Sequence, residues 1–90
     1  MSTDPGFDPF AELRELNPEA LLADGFEAAY IGYVEPFNAQ PIAVYSSHKC
    51  LMILATRDGM TYEEAREFFD FNVKGSYLGP NTPLFLEDPL

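Results

Sequence analysis

The sequence predicts an α+β domain: a three-stranded, mainly antiparallel sheet with two helices on one face (ββααβ), preceded by a short helical acidic N-terminal segment. Three observations carry this. Residues 28–34 and 42–45 are aromatic and β-branched runs, and the link between them is too short for anything but an antiparallel hairpin. Two helical patterns follow, divided at Asp58-Gly59. A last apolar run, residues 82–86, opens beside Pro83, which suits the start of a strand or an edge strand.

Taken in order, residues 1–7 form a loose tail of Pro, Gly and small polar residues. Asp8 then serves as an N-cap with Pro9 at the first helical position. Phe10, Leu13, Leu16 and Ala20 share one helical face. Pro18 interrupts, because the residue before a proline avoids the helical region. A second turn, 19–23, stops at Asp24-Gly25. Residues 8–27 are the acidic helical arm, and residues 1–27 together hold seven acids and one base.

The core unit spans 28–86, within one domain of 1–90. Gly32 inside the first strand points to a bulge. Ser46 or Ser47 caps a helix running to about Arg57, with Cys50, Leu51, Met52, Ile53 and Leu54 apolar nearly all round and Gly59 closing it. Thr61 and Glu64 form a capping box, flanked by Met60 and Ala65. The helix they start runs to about Lys74, with Tyr62, Ala65, Phe68, Phe69 and Val73 inward and Glu63, Glu67 and Asp70 outward. Arg66 and Asp70 are spaced for an ion pair. Gly75 and Gly79-Pro80 end the helix.

Composition narrows function. Fifteen acids against five bases give a net charge of −10, which disfavours nucleic acid and an anionic membrane surface and favours a basic protein surface. One cysteine, Cys50, allows no internal disulfide and suits a reducing cytoplasm. The first residues lack the basic and apolar regions of a signal peptide, and no apolar run is long enough to span a bilayer.

Catalytic sets are missing. His48 is the only histidine and lies two positions before Cys50, a spacing that turns the two apart on a helix. One Cys and one His do not make a structural zinc site, and no segment has the spacing of a calcium or phosphate loop. No cofactor is expected. The helix-turn-helix arrangement of 46–76 carries Glu63, Glu64, Glu67 and Asp70 where a reader of the major groove needs Arg, Lys, Asn or Gln. The same face could imitate a row of phosphates and occupy a DNA-binding protein.

The segments AYIGYVEPF, PIAVYSSHKC and RDGMTYEEAREFFDFNVKGSYLGPNTPLFL, between Ala29 and Leu86, resemble a group of small proteins of tailed bacteriophages and phage-like bacterial elements. The stretch Asp58-Gly59-Met60-Thr61-Tyr62-Glu63-Glu64-Ala65 and the run Phe71-Asn72-Val73 with Gly75 carry most of the likeness. The resemblance implies a protein acting in the cytoplasm of a bacterial host and assigns no residue a role.

The expected function is therefore non-enzymatic: binding and modulating a host or phage protein, as an inhibitor or DNA mimic, through Glu63, Glu67 and Asp70. The alternative is a small-molecule site among Tyr30, Tyr33, Tyr45, Asn72 and Tyr77, with Asn72 on the buried face of the last helix. A minor structural or accessory phage role is a further alternative.

Overall fold

A computed structural model describes residues 8–88. The expected tail over 1–7 lies outside the described residues. The element order is α1 (Ala11–Leu16), β1 (Tyr30–Val34), β2 (Ile42–Ser46), α2 (Ser47–Arg57), α3 (Tyr62–Phe68) and β3 (Leu84–Leu86). A 3-10 turn, Glu27–Ala29, precedes β1, and a π-helical turn, Phe69–Val73, prolongs α3.

The three strands lie in the order β1-β2-β3. β1 and β2 form the antiparallel hairpin, with a bulge between Tyr30 and Gly32. Gly32 has φ +147°, a conformation that side chains disfavour, and this is why a glycine stands at the irregularity. β3 pairs with β2 in parallel, Val44 opposite Leu84 and Ser46 opposite Leu86. The sheet is thus mixed rather than mainly antiparallel. The chain from β2 to β3 passes through two helices, a connection long enough to bring a strand back in the same direction.

One face of the sheet carries Tyr30, Ala43, Tyr45 and Phe85, and the core gathers on it. Five aromatic rings run through this core in series. Phe10 lies 4.4 Å from Tyr30, Tyr30 5.6 Å from Tyr45, Tyr45 5.6 Å from Phe85, and Phe85 5.3 Å from Phe69. The Phe85–Phe69 contact is edge-on, the arrangement that ring quadrupoles favour. The opposite face, with Val34, Val44, Leu84 and Leu86, opens to solvent as a shallow depression of about 380 Å³.

The arm before β1 departs from the expected helices. The Asp8 carboxylate accepts the Phe10 amide at 3.0 Å and its carbonyl accepts that of Ala11, so a turn precedes the helix and α1 starts at Ala11. Leu16 is 44% exposed, whereas Asn17 is 4% exposed. Residues 20–23 are not helical. The Leu21 amide donates to the Asn81 carbonyl and the Ala23 amide to the Tyr45 hydroxyl, so these donors serve tertiary contacts instead of a helical turn. Residues 28 and 29 belong to the 3-10 turn, so the first strand begins at Tyr30.

The caps read for the two later helices are present, whereas Asp8 does not cap α1. Ser46 Oγ accepts the Lys49 amide at 3.1 Å, starting α2. Thr61 Oγ1 accepts the Glu64 amide at 3.2 Å while Glu64 Oε1 accepts the Thr61 amide at 2.9 Å. The inward set of α3 needs correction. Ala65 and Phe69 are buried and Val73 packs against the core, but Tyr62 is 64% and Phe68 40% exposed. The stripe 65, 69, 73 faces α2 and the sheet, and residues three positions to either side of Ala65 fall beyond that contact. From Phe69 the Lys74 amide donates five residues back, at 2.8 Å, so the α-helix expected to reach Lys74 becomes a π turn.

Candidate binding surface on the last helix

The two flanks of α3 differ in charge. Arg66, Asp70 and Lys74 recur every fourth residue and line the flank that faces the end of β3. Arg66 pairs with Asp70 at 3.3 Å and with Glu87 at 3.1 Å, and Lys74 Nζ donates to Glu87 at 2.9 Å. The Lys74 ammonium, followed by the Arg66 guanidinium, holds the Glu87 carboxyl down at about 2. The buried Ser47 hydroxyl favours the same carboxylate but makes no hydrogen bond of acceptable geometry.

On the other flank Glu64, Glu67, Phe68 and Phe71 recur at helical spacing. With Asp58 and Met60 from the α2–α3 turn they line an open groove of about 530 Å³. Phe68 is 40% and Phe71 76% exposed, so none of the described residues covers the apolar part of the groove. Acids form its rim. Arg57 pairs with the lining residue Asp58 at 2.8 and 3.1 Å, donates to the Gly25 carbonyl at 2.9 Å, and lies 5.3 Å over the Phe26 ring. The Arg57 guanidinium also holds the Asp58 carboxyl below the usual carboxylate range.

The three acids expected to act together are all exposed on α3 and the turn that prolongs it. Glu67 lines the groove, Glu63 stands one turn before it, and Asp70 is held in its pair with Arg66. Glu63 and Glu67 make no ion pair among the described residues. Phe68 and Phe71 were missed because aromatic residues at helical spacing read as core. Their signal is crowding: three Phe at 68, 69 and 71 point in different directions from one short helix, so they cannot all face one sheet, and the buried member is Phe69.

The alternative pocket residues do not line one cavity. Tyr30 and Tyr45 belong to the aromatic series of the core. Tyr33 donates to Glu12, and that hydrogen bond pushes its phenol up to about 12. Tyr77 is 76% exposed, beside Pro80. Asn72 is exposed rather than buried, and its side chain donates to the Phe68 carbonyl of its own helix at 3.3 Å. The π turn swings it off the buried stripe. The buried asparagine is Asn17, the extended residue that closes α1 and whose backbone amide donates to the Leu13 carbonyl.

Cys50 is fully buried, and burial followed by the field of Asp88 pushes its thiol up to about 12. No hydrogen bond joins it to His48 among the described residues. Instead the His48 backbone amide donates to Asp88, which also accepts from Ser46 Oγ at 2.6 Å and so sits over the start of α2. Among the described residues no group of His, Cys, Asp and Glu could hold a metal ion, and no helix is long and apolar enough to cross a membrane.

The class these features define is a small α+β protein with a mixed three-stranded sheet and an open acidic-aromatic helix face. No protein-family model, no curated protein and no solved structure matches the chain.

Proposed function

We propose that the protein is a non-enzymatic binding protein that docks a basic surface of a host or phage protein through the outer side of α3, and modulates that partner as an inhibitor or DNA mimic does. The observation that carries this reading is the pairing of uncompensated acids with exposed aromatic rings: Glu63 and Glu67 lack ion-pair partners among the described residues, and Phe68 and Phe71 stand beside Glu67. Protein interfaces are built in this way, with an apolar, aromatic centre and a polar rim. The net charge of −10 adds a long-range attraction for a cationic partner. The phage setting rests on the sequence resemblance, and a cytoplasmic site of action follows from that setting.

Affinity capture from bacterial lysate at low and high salt, with wild type and an E63K/E67K variant, tests the reading. The expected result is a basic protein retained by wild type at low salt, released at high salt, and not retained by the variant. A captured set that is indifferent to both salt and charge reversal would overturn it.

A further inference from the structure

We infer that the groove beside Phe68 and Phe71 takes a cationic amphipathic helix of the partner. This rests on the proposed reading of α3 as the docking surface and names what the surface holds.

The argument begins with charge segregation. Glu87 draws Arg66 and Lys74 to one flank of α3, and Arg57 is spent on Asp58 and the Gly25 carbonyl. The groove lining therefore keeps Glu64 and Glu67 without ion-pair partners among the described residues, while its third acid, Asp58, is neutralised by Arg57. Its apolar side chains are Met60, Phe68 and Phe71. Such a site prefers apolar anchors flanked by Lys or Arg. A second copy of this chain would bring its own acids against these and be repelled. Nucleic acid is repelled for the same reason.

The walls decide the backbone of the occupant. They are a helix and a helix-to-helix turn, with no strand edge. An extended peptide would find no ladder for its amides and carbonyls there, whereas a helix satisfies its own. Apolar residues at i, i+3 or i+4, and i+7 of the incoming helix would meet Phe68 and Phe71, and Lys or Arg beside them would reach Glu64 and Glu67, which recur at the same helical spacing. The π turn that begins at Phe69 leaves Phe71 76% exposed at the end of this stripe. Turns of this type are frequent at functional sites.

The test uses the full chain and three synthetic peptides. One carries Leu at the helical positions above and Lys on the flanks. One has the same composition in scrambled order, and one has Glu in place of each Lys. Binding is followed by fluorescence anisotropy and by amide chemical shifts. The first peptide should bind, with shifts centred on Gly59, Glu67, Phe68 and Phe71. F68A/F71A should weaken it roughly tenfold or more. Because both rings are exposed, the variant is expected to fold, and an unchanged circular dichroism spectrum verifies this. A single Phe71→Ala variant gives the same readout if the double variant does not fold. Equal binding of the scrambled peptide, or shifts centred on the sheet face at Val44 and Leu84, would overturn the helix-in-groove inference while leaving the acidic docking surface standing. Equal binding of the Glu peptide, or no binding by any of the three, would overturn the inference too. The lysate capture with E63K/E67K then decides the broader reading separately.

Discussion

The Asn17 side-chain amide donates to the Pro41 carbonyl at 2.9 Å, tying the first helix to the residue that opens β2. The same amide donates to Asn81 Oδ1 at 2.9 Å, and Asn17 Oδ1 accepts the Glu19 amide at 3.1 Å. One buried side chain thus joins three distant segments. Asn17→Ala leaves the Pro41 carbonyl without this donor in a buried setting, and is expected to destabilise the fold by about 1–3 kcal/mol. Denaturant unfolding measures this directly. A midpoint equal to wild type would show that the polar hub is dispensable.

The capping box at Thr61 and Glu64 satisfies amides that a helix start leaves open. Thr61→Ala should lower stability by about 0.5–2 kcal/mol. Thr61→Ser keeps the acceptor and should recover most of the loss in the same thermal melt.

Phe69 and Phe71 are two residues apart on one turn, yet Phe69 is fully buried and Phe71 is 76% exposed. Phe69→Ala is expected to cost about 3–5 kcal/mol, because it removes the ring that packs edge-on against Phe85. Phe71→Ala should change stability by less than about 0.5 kcal/mol. For a domain this small the first value approaches the whole stability, so the two variants should differ plainly in a melt.

The Glu87 carboxyl, held at about 2 against an ordinary 4.5, links the fold to acid pH. Its folded value lies below its unfolded one, so its contribution is complete above about 4.5 and is lost as pH falls toward 2. Wild type should lose thermal stability across that window, and Glu87→Gln should lose less across it while melting lower at neutral pH. Asp8, Asp58 and Asp88 are also held low by their partners, which keeps part of the acid slope in the variant.

Cys50 should resist alkylation in the native protein, since its thiol is buried and pushed up to about 12, and the thiolate is the reactive form. Labelling by iodoacetamide near neutral pH is expected to follow global unfolding, so its rate should rise in step with added denaturant. Rapid labelling without denaturant would show that α2 opens locally.

What could be read from the sequence is what neighbouring residues decide. The cap at Ser46, the capping box at Thr61, the reversal at Gly59 with φ +67° and the bulge at Gly32 each depend on a few adjacent backbone groups, and each stands where the residue types place it. The antiparallel β1–β2 hairpin belongs with them, because its link leaves no other pairing. Tertiary structure decided the rest. The parallel pairing of β3 depends on where two helices return the chain. The burial of Asn17 depends on Pro41 and Asn81, which are 24 and 64 residues away. The charge-segregated flanks of α3 depend on Glu87 arriving beside Arg66 and Lys74. Phe68 and Phe71 illustrate the physical reason: periodicity tells which residues share a helix face, but a face becomes interior only when another element is brought over it, and none of the described residues covers this one.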